Sequence, residues 1–96
     1  MSNQKRKNRD TAVALRYKDG EDSAPKVVAK GHGVTAQKIR EVAEASGIPV
    51  TRDDDLVDLL AQIDIDREIP PQLYAAVAEV LALIYRANNS MGGQDK

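Results

Sequence analysis

The sequence contains no cysteine, so it can form neither a disulfide nor a thiolate metal site. It also contains no tryptophan and no phenylalanine, and three tyrosines supply all of its aromatic side chains. A core must therefore be built from valine, isoleucine, leucine and alanine. The 96 residues suffice for one small domain.

A surplus of charge and a long apolar run are also missing. The formal net charge of −1 argues against a domain whose whole surface binds nucleic acid or a membrane. No stretch approaches the roughly 20 apolar residues of a membrane-spanning helix, and residues 1–11 lack the apolar run of a signal peptide. Together with the absence of cysteine, these features predict a soluble protein of a reducing cytoplasm.

Residues 24–31 have the pattern of a central strand. Residues 27–29 are a continuous apolar run, which is typical of a strand buried on both faces. Pro25 stands at the start, where no ladder hydrogen bond need be donated. A first strand is predicted over residues 11–17, with Tyr17 on the same face as the apolar residues two and four positions earlier. An Asp-Gly turn signal separates the two strands, so we expect them to run antiparallel.

The remaining sequence predicts three helices. The first covers residues 35–46, with Thr35 as its N-cap and Gly47 as the glycine that ends it. The second covers about residues 55–62, and the last begins with two prolines after Ile69 and ends near Asn88. Between the first two helices, residues 48–51 are predicted as a third strand, parallel to the central one through a right-handed crossover.

The predicted fold class is α/β, a small mixed sheet of three to four strands covered by three to four helices. Residues 1–11 are predicted to be a disordered basic arm, residues 12–88 the single domain, and residues 89–96 a disordered tail. On the last helix, one apolar line has the spacing of a buried stripe. A second line flanks it, and core packing under amphipathic tyrosines would account for both. The second line consists of Tyr74, Ala78, Leu81 and Tyr85.

Groups for catalysis are scarce. The single histidine, His32, stands between two glycines without a nucleophile or metal partner in the pattern. The Gly-His-Gly turn lacks the further residues of a dinucleotide or phosphate loop. The aspartates at residues 53–66 do not have the spacing of a calcium loop, and helix capping explains them better. We therefore expect no catalytic residues, no metal and no cofactor.

Four stretches of the sequence, in order and with compatible spacing, resemble the C-terminal cytoplasmic domain of the FlhB/YscU/EscU family, the substrate-specificity switch proteins of flagellar and type III export. The stretches are Ala12-Val13-Ala14-Leu15-Arg16-Tyr17, the segment from Ser23 to Gly31, Lys38-Ile39-Arg40-Glu41 with Ile48-Pro49-Val50, and the segment from Glu68 to Ala82. The resemblance covers residues 12–86 and implies the same α/β fold.

The family's self-cleavage motif, Asn-Pro-Thr-His, is absent from this sequence. Alignment of the first strand places Lys7-Asn8-Arg9-Asp10 at its four positions, so that the asparagine is out of register and no proline follows it. The family's Pro-Pro before the second helix is replaced by Asp54-Asp55. The chain thus resembles a free-standing copy of the fragment left after cleavage, and we expect it not to cleave itself.

The resemblance implies a non-catalytic component of flagellar or type III protein export that binds export substrates or export-gate components. It would be cytoplasmic and would reach the inner-membrane apparatus only through partners. In the family, an apolar patch where the Ala-Pro step meets the last helix is implicated in substrate recognition. Carried over, that patch is Ala24, Pro25, Ala78 and Leu81, with Tyr74 and Tyr85 as neighbours. Ordinary core packing is the alternative interpretation of the same residues.

Two other functions remain open. The chain could be a structural paralogue that only completes the sheet of a gate component. In relatives, a strand precedes the cleavage motif, and residues 1–10 are too polar to supply it, so we expect an open sheet edge beside Val13 or Val27. The chain could also be a nucleic-acid adaptor that uses the basic cluster from Lys5 to Arg9, although no nucleic-acid partner is expected.

Overall fold

The computed structural model describes residues 10–18 and 20–94, the last part from residue 87 as helical backbone only. Within these residues a two-stranded sheet is followed by three α-helices, so the predicted α/β class is confirmed. The elements are β1 (Thr11–Arg16), β2 (Lys26–His32), α1 (Val34–Ala45), α2 (Asp54–Leu60), a 3₁₀ turn (Pro71–Leu73) and α3 (Tyr74–Gln94).

β1 and β2 form the expected antiparallel hairpin. Its connection contains a turn in which the carbonyl of Lys18 accepts the backbone N–H groups of Glu21 at 3.0 Å and Asp22 at 2.8 Å. The pairing shifts register between Ala14 and Leu15, which leaves Val28 of β2 without an opposite residue. Val28 is 38% exposed, so the prediction that residues 27–29 are buried on both faces is wrong.

The third neighbour of the sheet is not the predicted segment. Residues 48–51 form no strand, and residues 66–69 pair with the start of β2 instead. There the N–H of Asp66 donates to the carbonyl of Val27 at 2.6 Å, and the N–H of Val27 donates to the carbonyl of Arg67 at 3.0 Å. This pairing is antiparallel. It covers the sheet edge beside Val27, so the expected open edge does not lie there.

The physical reason lies in the amides of residues 48 and 49. The N–H of Ile48 is already used at the end of α1, where it donates to the carbonyl of Ala43 at 2.8 Å. Pro49 has no N–H to donate. Two successive residues therefore lack free donors for a ladder, and Ile48 and Val50 remain exposed.

The two ends of α1 differ in how well the sequence predicts them. Thr35 is not the N-cap, because Gly33 holds that place and its carbonyl already accepts the N–H of Gln37 at 3.0 Å. Gly47 ends the helix as predicted, with a φ of 72°. Its N–H donates to the carbonyl of Glu44 at 3.2 Å, which with the Ile48 bond completes the double hydrogen bond of a glycine-terminated helix.

α2 begins at an aspartate cap. A carboxylate oxygen of Asp53 accepts the N–H of Leu56 at 3.0 Å, as capping by the acidic residues predicted. The helix ends at Leu60 rather than near residue 62, because the next two N–H groups, those of Gln62 and Ile63, donate to carbonyls three residues back instead of four. The carbonyls that follow are bound by a side chain of β2. Lys30 donates its Nζ to the carbonyls of Ala61 at 2.9 Å and Ile63 at 2.8 Å. A positive charge is favourable at a helix C-terminus.

We expect Lys30→Met to lower the free energy of unfolding by about 1 to 2 kcal/mol, because it removes two charge-assisted hydrogen bonds that join β2 to the end of α2. Lys38→Met is the matched control, since Lys38 is exposed on α1, and its effect should stay within about 0.5 kcal/mol. Urea titration of both variants measures the difference. Equal effects would mean that the two bonds contribute nothing to stability.

α3 opens with Pro71 in a 3₁₀ turn, as the prolines predicted, and continues to Gln94. It passes the predicted end near Asn88 because the chain has no glycine or proline from Tyr74 until Gly92. The tail predicted to begin at residue 89 therefore begins inside the helix. The predicted basic arm falls mainly on residues 1–9, which lie outside the described residues.

The core lies between the sheet, α2 and α3, and consists of small aliphatic side chains as the composition requires. Val27 and Val77 are its largest fully buried side chains. The central cluster is Ala24, Leu56, Leu60, Ile69 and Val77, with Val13, Leu15, Ile63, Leu73, Ala76 and Val80 packed around it.

Candidate functional site

A shallow apolar groove of about 230 Å³ lies on the surface above this core. One wall is the chain that enters β2, and the other is the first half of α3. The residues that line it are Tyr17, Ser23, Ala24, Pro25, Ile69, Tyr74, Val77, Ala78 and Leu81.

The floor of the groove is part of the core. Ala24, Ile69 and Val77 are each at most 2% exposed. Ile69 is hydrogen-bonded to the wall formed by the chain that enters β2, because its N–H donates to the carbonyl of Pro25 at 2.9 Å. The groove is therefore a preformed feature, with its position set by the same backbone pairing that covers the edge of β2.

The rim carries apolar side chains that reach solvent. Tyr17 and Tyr74 are each 45% exposed, and Leu81 is 39% exposed. Exposed apolar groups that converge on one depression are the usual form of a binding surface, whereas scattered ones need no explanation. Leu81 belongs to this rim and not to the buried cluster, so the core-packing interpretation is wrong for this residue.

The structure brings together nearly the whole patch that the family resemblance implies. The lining includes Ala24, Pro25, Ala78, Leu81 and Tyr74. Tyr85, expected as a further neighbour, is 66% exposed and does not line the groove.

The sequence analysis did not place Tyr17, Ser23, Ile69 and Val77 in the patch, and Tyr17 is the largest and most exposed apolar side chain among them. The strand pattern puts Tyr17 on the same face as Val13 and Leu15, but β1 ends at Arg16, and the side chain of Tyr17 is 45% exposed at the rim of the groove. The available signal was its position immediately before a turn that returns the chain to Pro25.

The turn between Tyr17 and Ser23 is stabilised by Asp22. One carboxylate oxygen accepts the N–H of Lys18 at 2.9 Å, and the other lies 3.4 Å from a guanidinium nitrogen of Arg16. The Lys18 N–H lowers the pKa of Asp22 below its ordinary value, and the positive charge of Arg16 adds to the effect. This turn places Tyr17 and Ser23 beside the same groove.

A second carboxylate is hydrogen-bonded to a residue that lines the groove. Ser23 donates its hydroxyl to Oε2 of Glu68 at 2.8 Å. Glu68 also forms a backbone bridge with Lys26. The side chain is thus tied to a lining residue and its backbone to the start of β2.

The lining of the groove offers hydroxyl groups and apolar surface. His32 is not part of it, and its Nδ1 lies 2.9 Å from the hydroxyl oxygen of Thr11. Within residues 10–18 and 20–94, no cluster of His, Asp and Glu has the arrangement of a metal site. No helix in the described part of the chain has both the length and the apolar character needed to cross a membrane.

Comparison with known proteins identifies several that are similar. Residues 9–84 match the model of the FlhB HrpN YscU SpaS family. The chain is 40% identical over 80 residues to the uncharacterized protein YlqH of Bacillus subtilis, covering 83% of this chain and 86% of YlqH. It is 47% identical over 74 residues to the flagellar biosynthetic protein FlhB of Aquifex aeolicus, covering 76% of this chain and 21% of that protein.

The fold is similar as well. The crystal structure of the cytoplasmic domain of FlhB from Shewanella putrefaciens superimposes with a TM-score of 0.81 at 34% sequence identity. The match covers 86% of this chain and 69% of that domain. This chain therefore spans about a fifth of the length of the Aquifex FlhB and most of the cytoplasmic domain in the Shewanella structure.

Proposed function

Because the chain belongs to the FlhB HrpN YscU SpaS family, we propose that it is a non-catalytic component of flagellar or type III protein export, and that its apolar groove binds export substrates. One observation carries the proposal. The residues that the family resemblance implies for substrate recognition, Ala24, Pro25, Ala78 and Leu81, line a single surface groove together with Tyr74.

The physical properties of the groove support this role. Its floor consists of buried core residues, and the hydrogen bond between Ile69 and Pro25 joins the floor to the wall that leads into β2. Its rim presents the partly exposed side chains of Tyr17, Tyr74 and Leu81. A bound peptide segment would cover their apolar surface and remove it from water, which favours binding. A groove of about 230 Å³ suits one or two side chains of a peptide rather than a folded domain.

Self-cleavage is not part of the proposed function. The four prolines follow Ala24, Ile48, Ile69 and Pro70, so the sequence has no Asn-Pro step. The protein's mass should accordingly remain that of the intact chain after long incubation at mildly alkaline pH. A pair of fragments divided near Asn8, a position outside the described residues, would contradict this.

We expect Leu81→Asp to weaken binding of a purified hook-type export substrate by at least about tenfold, because it places a charge in the apolar rim of the groove. Leu83→Asp is the matched control: it is the same change on the same helix, at a residue that is 57% exposed and does not line the groove. Affinities are measured by titration calorimetry, and thermal unfolding is recorded for both variants.

Pro25→Asp and Ala78→Asp extend the test to the two walls of the groove, and Ala78 is exposed enough for the fold to tolerate the change. Loss of binding in these variants with unchanged unfolding supports the proposal. Equal binding by the wild type, Leu81→Asp and Ala78→Asp would reject the groove as the substrate site.

A second candidate function is supported by β1. Over residues 12–16, the structure pairs β1 with β2, and no backbone hydrogen bond within the described residues joins its other edge to a further segment. An edge of this kind accepts a strand from another chain. The protein would then complete the sheet of an export-gate component and reach the inner membrane through that partner. A gate component that binds the wild type and Leu81→Asp equally well would support this candidate.

The nucleic-acid alternative rests on the basic cluster from Lys5 to Arg9, which lies outside the described residues. No observation on the described surface favours it.

A further inference from the structure

Glu68 is a charged residue that is hydrogen-bonded to the lining of the mainly apolar groove without being part of that lining. Its Oε2 accepts the hydroxyl of Ser23, a lining residue, at 2.8 Å. Its neighbour Ile69 forms part of the groove floor, and its backbone bridges to Lys26. The carboxylate is therefore held next to the lining by the Ser23 hydroxyl, and the backbone that carries it is held by β2.

One oxygen of this carboxylate remains available to a ligand. Within the described residues, neither a hydrogen bond nor an ion pair engages Oε1 of Glu68. Asp22, the other carboxylate near this wall, differs in this respect because Lys18 and Arg16 occupy both of its oxygens. Glu68 is thus the acidic group beside Ser23 that can still accept a donor.

We propose that the groove recognises a peptide segment in which an apolar side chain is next to a lysine or arginine. The apolar side chain enters the groove, and the cationic group binds Oε1 of Glu68. This inference rests on the proposed substrate-binding function and adds to it a chemical class of ligand. A charge-assisted hydrogen bond to a carboxylate that is already positioned loses little entropy on binding, so the contact discriminates between cationic and neutral neighbours.

The test uses synthetic peptides that together cover the sequence of a hook-type export substrate, with affinities measured by fluorescence anisotropy. In each bound peptide, the basic residue beside the apolar one is replaced by glutamine. We expect this change to weaken binding to the wild type by about threefold, the magnitude of a partly exposed ion pair. It should have no effect on binding to Glu68→Gln, a variant that keeps the hydrogen-bonding side chain and removes the charge.

Glu79→Gln is the matched control. It makes the same change in charge beside Ala78, but no lining residue holds Glu79 in the described structure. If Glu79→Gln affects binding as much as Glu68→Gln does, a general electrostatic field explains the preference and the inference is wrong. It is also wrong if the peptide change weakens binding to Glu68→Gln as much as to the wild type.

These outcomes separate the inference from the proposed function. If Leu81→Asp abolishes binding and Glu68→Gln leaves both affinity and peptide preference unchanged, the groove is the substrate site and Glu68 is not its acidic contact. If Leu81→Asp leaves peptide binding unchanged, the proposed function itself fails.

Discussion

Replacing Leu60 by alanine is expected to lower the free energy of unfolding by about 3 kcal/mol. The Leu60 side chain is 5% exposed and belongs to the central cluster formed with Leu56, Ile69 and Val77. Its loss removes apolar contacts and leaves a cavity in the central cluster. Because the domain is small, an effect of this size is a large share of its total stability.

Leu59→Ala is the control for this change, as it removes the same atoms from the adjacent residue of α2. Leu59 is 48% exposed, so we expect a loss below about 1 kcal/mol. Urea-induced unfolding followed by circular dichroism measures both variants. If Leu60→Ala is no more destabilising than Leu59→Ala, the sequence folds with a different face of α2 against the sheet.

The second large effect is expected at Gly31, where β2 meets the start of α1. A Cβ atom built on Gly31 would lie 2.7 Å from the Cβ of Thr35, closer than real side chains approach. The γ-methyl group of Thr35 would clash with the added Cβ atom as well. We expect Gly31→Ala to destabilise the protein by about 2 kcal/mol, because the strand or the helix must move to relieve the overlap.

A double-mutant cycle with Thr35 identifies the cause. Thr35→Gly removes both clashing atoms and should recover much of the loss, apart from the cost of about 1 kcal/mol for a glycine in a helix. Thr35→Ala removes the γ-methyl group and the hydroxyl but keeps the clashing Cβ atom, so it should recover less. Losses that simply add in both double variants would show that Gly31 is required for a reason other than its contact with Thr35.

Local sequence signals predicted the elements whose ends are decided by neighbouring residues. The Asp-Gly signal predicted the antiparallel hairpin, and Gly47 predicted the end of α1. The aspartates before Leu56 predicted the start of α2. Each signal acts through hydrogen bonds that close within a few residues. Such bonds are the same whether or not the rest of the chain has packed.

The third strand could not be predicted in this way. Residues 48–51 and 66–69 both carry an isoleucine near a proline, and no local pattern distinguishes which segment pairs with β2. The choice is decided by the amide of Ile48, which the end of α1 uses, and by the amides of Asp66 and Ile69, which remain free for β2. The periodicity of apolar residues indicates which side chains are buried, but it does not show which backbone N–H groups already have an acceptor.

The site was predictable where helical spacing and the family resemblance agreed. Tyr74, Ala78 and Leu81 fall on one line of α3, and the Ala24-Pro25 step carries the resemblance on the opposite wall. Glu68 could not be found from the sequence, because its place beside the groove depends on a side-chain bond between residues far apart in the chain. Tyr17 had a local signal in its position before the turn, but its place at the rim depends on a strand that ends early.

The two walls of the groove are distant in the sequence. The hydrogen bond from Ser23 to Glu68, for example, joins residues 45 positions apart. No fragment with only one wall contains the site, and the unfolded chain does not contain it either. A ligand of the groove therefore binds only the native state and stabilises it. At a free ligand concentration of 100 times the dissociation constant, it raises the free energy of unfolding by about 2.7 kcal/mol. The midpoint of thermal unfolding then rises with ligand concentration, so thermal unfolding assays can identify groove ligands without a measurement of export.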